Sequence, residues 1–311
     1  MLREHRRELS VATAIVALAA VLAVIAPGYF AGGNLRDLLL ANAPVLVAAL
    51  GATLVVLSGQ IDISVGSVFA ICGVMAGVLA KAGLPAPTAV LGACLIGAAL
   101  GSVNGVLVAY ARIPSIVVTL ATMVALRDGL RWATQGAWVQ DLPAGFQWLG
   151  FAQTTYPVLS AGLTFLLVIV MGWGLRHIAA GRAVYATGSN REAARLAGID
   201  TRAITWAVFT VAGALTGLAA VLNAVRFNQI PPNAGLGLEM RVIAAVVVGG
   251  TAITGGRGTV AGTVLGVILL GGLSPALTFL GVTAHWERAV QGLIILMAVA
   301  IDAVRLRHQH A

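Results

Sequence analysis

Charge is what this 311-residue chain has least of. Asp, Glu, Lys and Arg together make up 10%, where a soluble domain carries about 25%. With 59% hydrophobic residues and a mean hydropathy of +0.96, that shortage leaves no room for a separate soluble domain and predicts an all-α, polytopic membrane protein. Lysine is scarcer still: Lys81 is the only one and follows Ala80, so no G-K-[ST] exists to cradle a nucleotide phosphate. The two cysteines, Cys72 and Cys94, sit inside apolar runs and are expected to pack rather than to pair or bind metal. The chain has no His-Glu zinc motif, no paired aspartates for a diphosphate and no G-x-S-x-G, so neither a catalytic nor a metal-ligating residue is expected. His285, His308 and His310 fall in a loop or the tail and are expected to be solvated.

What remains is apolar sequence punctuated by arginine. The net charge of +8 does not imply nucleic acid, because no aromatic-rich basic patch accompanies it; membrane proteins keep arginines in cytoplasmic loops. The amino terminus, MLREHRRELS before VATAIVALAAVLAVIA, has a signal-peptide look, but its apolar part is long for one and further spans follow. It is expected to be an uncleaved first span with its basic end inside. Spans are expected near residues 11–28, 37–57, 63–80, 88–110, 114–130, 156–176, 204–224, 239–253, 259–280 and 286–304, about ten, with both termini cytoplasmic and 1–311 forming one transmembrane domain. The fifth and eighth are the least regular, so the range is eight to ten. The fifth ends in Arg127, Asp128 and Arg131; the eighth is short and holds Gly249, Gly250 and Thr251, as a broken or re-entrant segment would. This topology puts Arg3, Arg6, Arg7, Arg112, Arg176, Arg182, Arg191, Arg195, Arg202, Arg257, Arg305 and Arg307 inside. Arg36, Lys81, Arg127, Arg131, Arg226, Arg241 and Arg288 go to the other face or the membrane edge.

Small residues recur at helical spacing: Gly97, Gly101 and Gly105; Gly258, Gly262 and Gly266; Gly73 with Gly77; Gly213 with Gly217. Such faces let helix backbones approach closely. GSVNGVLV at 101–108 resembles GTVLGVIL at 262–269, in the fourth and ninth spans, which this topology points in opposite directions. Two inverted repeats of five helices would produce that, and would pair the loop bearing Asp62 with the loop bearing Glu239. Trp132, Trp138 and Trp148 lie between the fifth and sixth spans, where lipid anchoring at the outer face reads ahead of solute contact.

Three polar segments interrupt this pattern. Residues 179–203 hold Arg182, Arg191, Glu192, Arg195, Asp200 and Arg202. They read as a short helix with Asn190 as N-cap, Glu192 in its first turn and Gly198 after its last residue, Ala197, on a cytoplasmic loop that offers a docking surface to a soluble partner. GQIDISVGS at 59–67 places Asp62, Ser64 and Ser67 between apolar runs; Asp62 reads first as an N-cap facing the third span and second as a solute contact. In the third segment, 233–259, Glu239 and Arg241 open an apolar run that five glycines loosen. Asn42, Asn104, Thr119, Thr122 and Asn223 add uncharged polar groups within spans. Amides and hydroxyls without ion pairs suit a neutral polyhydroxylated solute better than an ion, although interhelical hydrogen bonding is the commoner role for any single one. The expected solute pathway is therefore Asn42, Asp62, Ser64, Asn104, Thr119, Thr122, Asn223 and Glu239.

Four ordered blocks resemble the permeases of pentose/hexose-type bacterial ATP-binding-cassette importers: GQIDISVGS, NGVLVAYARIPSIVVTLATM, the loop block RAVYATGSNREAARLAGI with Gly181 before it, and AAVVVGGTAITGGRGTVAGTVLG. The resemblance runs from about residue 45 to residue 300. It implies a non-catalytic transmembrane subunit of the bacterial inner membrane that pairs with a second copy or a paralogous permease. The implied partners are a cytoplasmic ATPase, which uses the ATP and Mg, and a periplasmic sugar-binding protein; this chain binds no cofactor of its own. Membrane lipid surrounds it and nucleic acid has no part. The ATPase-coupling helix maps onto Gly188, Asn190, Glu192, Ala193, Ala194, Arg195, Leu196 and Gly198. RDGLRWATQGAWVQDLP and NAGLGLEM look closest to permeases for rhamnose or autoinducer-2, with rhamnose the first choice. LSGQ at 57–60 echoes the ATPase signature, but the missing P-loop lysine excludes that role. The competing readings are a branched-chain amino-acid permease of the same type, an ion-coupled secondary carrier and, last, a membrane-embedded enzyme.

Overall fold

The computed structural model describes residues 6–281 together with residues 289, 292 and 293. The tenth expected span, 286–304, lies outside these residues, as do Arg3, Arg288, Arg305, Arg307 and the three histidines His285, His308 and His310. Helix is the regular secondary structure of the described residues, whose one β-contact is an isolated antiparallel bridge between Val139 and Ile230. Eleven α-helices follow in order: α1 (Arg6–Ile25), α2 (Gly32–Leu57), α3 (Val65–Lys81), α4 (Ala86–Ala109), α5 (Ser115–Thr134), α6 (Tyr156–His177), α7 (Ala179–Ser189), α8 (Arg191–Leu196), α9 (Thr201–Ala224), α10 (Leu238–Val248) and α11 (Val260–Phe279).

Six of these helices, α1, α2, α4, α6, α9 and α11, are long and apolar enough to cross a membrane, and α3 is a shorter apolar helix. The expected fifth and eighth spans differ from the rest for separate reasons. The first, α5, has length enough, but Arg127, Asp128 and Arg131 fall within its last two turns. The second, α10, has 11 residues and so reaches about 16 Å, roughly half a hydrocarbon core.

Helix α2 is the central post, with an unbroken buried stretch from Val47 to Leu57. Pro44 interrupts its hydrogen-bond ladder. A proline has no N–H to offer the carbonyl four residues back, and Arg226 takes that place, its Nη1 donating to the Leu40 carbonyl at 2.8 Å. Helices α1 and α6 lie outermost, with few buried residues. Tyr156 ties α6 inward through its hydroxyl, which donates to the Leu222 carbonyl of α9 at 2.7 Å.

The glycine spacing is explained by two seams within the chain. A Cβ on Gly97 would strike the Gly213 carbonyl, one on Gly101 the Phe209 carbonyl and one on Gly217 the Ala93 carbonyl, so α4 and α9 touch backbone to backbone. Gly262 with Gly249, and Gly266 with Ala245, make the same kind of seam between α11 and α10. Gly73 and Gly77 of α3 instead accommodate Ile230 beside the Val139–Ile230 bridge. Cys72 is buried and Cys94 partly so, and both are free. Of the three tryptophans, Trp132 and Trp138 are exposed, whereas Trp148 packs edge-on against Tyr156 at 5.4 Å, with its backbone N–H bonded to the Val225 carbonyl. Trp148 is thus a packing residue rather than a lipid anchor.

Candidate functional site

Two polar regions stand out, one at each of two depths. The first is the charged loop. Asn190 adopts extended backbone angles and its side chain accepts from the Ala193 N–H at 3.0 Å, which starts α8 as an N-cap should. The helix ends one residue earlier than the sequence suggests: Ala197 is the C-cap and Gly198 turns the chain at φ +83, a conformation costly for residues with a Cβ. Asp200 then caps α9, accepting from the Arg202 and Ala203 N–H groups at 3.0 and 3.1 Å.

Within this short helix the faces are distinct. Ala194 is buried, whereas Ala193 and Leu196 face solvent with Glu192 and Arg195, which pair at 2.6 Å. Arg191 points back, its guanidinium donating to the Thr205 hydroxyl of α9 at 2.7 Å. Burial there holds the Arg191 guanidinium below its ordinary value, and the neighbouring charge of Arg202 adds to the effect. Helix α7 seats the loop on the membrane bundle. A Cβ on Gly188 would strike the Leu57 carbonyl, to which the Gly256 N–H is bonded at 2.9 Å, and Gly59 and Gly255 close around the same point. The exposed charges of α8 are therefore mounted on the turns that end α2 and α10.

The second region lies deeper. After α2 the backbone has no regular structure through residues 60–63, and the Ile61 N–H donates to the Ser115 hydroxyl at the start of α5. Asp62 accepts from both the N–H and the hydroxyl of Ser64, at 2.8 and 2.6 Å. The Asn104 amide of α4 donates to that hydroxyl at 2.9 Å, and the Thr122 hydroxyl of α5 donates to the Asn104 carbonyl oxygen at 2.7 Å. Thr119 stands beside them, bonded to the Ser115 carbonyl. Asp62, Ser64, Asn104, Thr119 and Thr122 thus gather at one junction of α3, α4 and α5, the first four buried and Thr122 half-buried, bonded mainly to one another and the adjoining backbone. Asp62 is not the N-cap of α3, whose cap position is Ser64; it braces the turn just before it.

The start of α10 meets the start of α3 beside this network. Gly66 has no Cβ because one would collide with the Glu239 carboxylate and the Gly235 carbonyl. From that meeting point the helices diverge: α3 runs toward the Val139–Ile230 bridge and α10 toward the Gly255 turn that abuts Gly59. Glu239 is buried, and its Oε1 pairs with Arg127 of α5 at 3.3 Å while its Oε2 has no partner among the described residues. The sequence pointed to amides and hydroxyls without ion pairs, and this ion pair corrects it: 112 residues separate the partners, and each alone looks like a charge at the edge of an apolar run. Asn42 and Asn223 lie apart. The Asn42 amide donates to the Leu38 carbonyl, and its buried Oδ1 rests against Gly271 without a partner among the described residues. Asn223 lines a separate cavity near Arg241. No cluster of His, Cys, Asp or Glu suited to a metal ion occurs among the described residues.

Comparison with known proteins adds the chemistry that geometry leaves open. The family profile described as "Branched-chain amino acid transport system / permease component" matches residues 34–299. An "Autoinducer 2 import system permease protein LsrC" from Yersinia pseudotuberculosis serotype O:3 (strain YPIII) is 37% identical over 305 residues, 98% of this chain and 86% of that protein. The protein of the same name from Escherichia coli O9:H4 (strain HS) is 38% identical over 296 residues, 93% of this chain and 86% of its own. The "Ribose import permease protein RbsC" of Escherichia coli (strain K12) is 36% identical over 299 residues, 93% of this chain and 91% of its own. No solved structure matches.

Proposed function

The chain belongs to the branched-chain amino acid transport system permease component family, and from that premise we propose that it forms the translocation pathway of an ATP-driven importer for a small neutral sugar or sugar-like solute. The observation that carries this reading is similarity along nearly the whole chain to permeases named for autoinducer-2 and for ribose. Rhamnose remains a member of the substrate class to be tested, but the two solutes in the relatives' names come first. With no P-loop lysine in the chain, ATP and Mg belong to a cytoplasmic ATPase partner, while a periplasmic binding protein delivers the solute to the outer face.

In this reading the chain sits in the bacterial inner membrane with both termini inside, about ten spans in two inverted halves, and works with a second permease copy or a paralogue. The divergence of α3 and α10 from one meeting point supports the inverted halves. The 179–203 loop is the cytoplasmic coupling element. Glu192, Arg195 and Leu196 offer α8's exposed face to the ATPase, Asn190, Ala193 and Gly198 shape the helix ends, and Ala194 with Gly188 seats it on the bundle. Closure of the two ATPase subunits would push α8, and Gly188 would pass the movement to the ends of α2 and α10. Only an arrangement with two states of different contact energy can respond in this way. Asp62, Ser64, Asn104, Thr119, Thr122 and Glu239 hold the junction that such a movement must rearrange, and Asn42 and Asn223, which lie apart from it, are the remaining members of the proposed pathway.

The test is uptake of labelled ribose, autoinducer-2 and rhamnose by cells with and without this chain, its cognate partners present. Loss of uptake of one of them on deletion supports the reading. Unchanged entry of all three, with collapse of leucine uptake instead, would favour the amino-acid permease reading that the family's description suggests.

A further inference from the structure

A cavity of about 120 Å³ lies between α2, α3, the end of α9 and the start of α10, apart from the bonded network around Asp62. Pro44, Phe69 and Leu238 give it apolar walls, and two polar side chains line it, Asn223 and Arg241. Neither of these side chains has a hydrogen-bond or ion-pair partner among the described residues. The surrounding backbone is irregular: residues 231–237 are unwound ahead of α10, and α2 is interrupted by Pro44. Irregular backbone at membrane depth persists where it is buried in protein or lines a water-filled cavity. Glu239 turns away toward Arg127 and Gly66, so among the described residues no carboxylate lines the cavity to neutralise Arg241.

We propose that this cavity is a solute subsite inside the protomer, where Arg241 and Asn223 hold neighbouring hydroxyls of a small sugar; the proposal rests on the sugar-permease reading above. A guanidinium presents its N–H groups as a rigid fork that meets two adjacent acceptor oxygens at once. Vicinal hydroxyls offer such a pair. The Asn223 amide both donates and accepts, which matches the double character of a third hydroxyl, and Phe69 and Leu238 face the carbon skeleton. Arg241 is exposed, so water keeps its charge solvated between solutes and no protein counter-ion is required. The fork would fit a carboxylate equally well, which is why an amino acid belongs in the test.

The experiment measures uptake of labelled ribose, autoinducer-2 and rhamnose, with leucine as the carboxylate probe, in cells carrying the complete importer. The variants are Arg241→Gln, Asn223→Leu and Ala41→Phe, the last filling the cavity from α2. Recovery of the assembled complex from the membrane reports whether each variant still folds and docks. Losing a charge-assisted hydrogen bond should lower the maximal uptake rate of the transported sugar about tenfold in Arg241→Gln, with a smaller fall in Asn223→Leu and a block in Ala41→Phe, all with the assembled complex recovered at the wild-type level. Wild-type sugar uptake in all three variants would overturn the subsite while leaving the permease reading intact. A wild-type importer that carries leucine and none of the sugars would overturn both.

Discussion

Of the places in this bundle where glycine brings backbones together, the α4–α9 seam and the α3–α10 junction do so to opposite ends. At the α4–α9 seam, Gly97 meets Gly213 and Gly217 meets Ala93 backbone to backbone, and the side-chain hydrogen bond between the two helices, from Trp206 Nε1 to the Ser102 hydroxyl at 2.8 Å, leaves neither partner free. At the α3–α10 junction, Gly66 meets Gly235 and Glu239, and the neighbourhood holds a carboxylate with one unpartnered oxygen, the ion pair to Arg127 and the Asp62–Ser64–Asn104–Thr122 chain. Close van der Waals packing with no alternative partners has a single arrangement. Polar groups that are only partly satisfied can exchange partners at modest cost, which is what a moving part needs. In the proposed mechanism the seam is the frame, and the junction is the place that transport would rearrange.

The largest expected effect breaks the frame. In Gly213→Val the new Cβ collides with the Gly97 carbonyl, and backbone cannot step aside as a side-chain tip can. Overpacking of this kind costs about 3 kcal/mol, and thermal unfolding of the purified chain should register it as loss of folded protein. The junction should answer differently. Arg127→Ala leaves Glu239 buried without its cation; because Arg127 is itself one-quarter exposed, the cost should be about 2 kcal/mol, below that of a fully buried pair. The protein should still reach the membrane, yet transport should fall further than stability does, and Arg127→Glu with Glu239→Arg should restore part of it. A folded, fully active Arg127→Ala would erase the distinction between seam and junction.

A smaller change sharpens it. Thr122→Val removes the donor to the Asn104 oxygen while keeping shape, which should lower stability by about 1 kcal/mol in the same unfolding assay. The smallest effect on stability belongs to Glu192→Ala at the solvent face of α8. Its partner Arg195 is exposed, and exposed pairs contribute about 0.5 kcal/mol or less. Uptake should nevertheless drop while the ATPase still binds or hydrolyses ATP. Wild-type uptake in both Glu192→Ala and Arg195→Ala would show that these charges merely solvate a loop.

The contrast between the two regions also marks what could be read in advance. Helix α8 was legible to within one residue because its cap, charges and stop are encoded locally by Asn190, Glu192 and Gly198. The glycine seams were legible as packing faces, though not the helices each one meets, and Gly258 falls outside its expected face, ahead of α11 at φ +147 and against Thr251. Individual members of the deep network were visible as polar residues in apolar runs, but their bonds join segments far apart in the chain: Asn104 to Ser64 across 40 residues, Arg127 to Glu239 across 112. No local periodicity reports such pairs. For the same reason Arg127 and Arg241 looked alike at the sequence level, as charges at a membrane edge, although one is paired at the junction and the other lines an open cavity. The span count was legible only where hydropathy is continuous; α5 and α10 depart from it because three charges and an 11-residue length are tertiary solutions.

The central claim is that this chain carries a neutral sugar-like solute across the membrane at the expense of ATP hydrolysed by a partner. Its most direct test is reconstitution of the purified chain with its cognate ATPase in vesicles, with the solute-loaded binding protein on one side and Mg-ATP on the other. The account predicts accumulation of labelled ribose or autoinducer-2 that requires ATP and both partners, and no ATP hydrolysis by the chain alone. Accumulation driven by an ion gradient without ATP, or ATP turnover by the isolated chain, would contradict it.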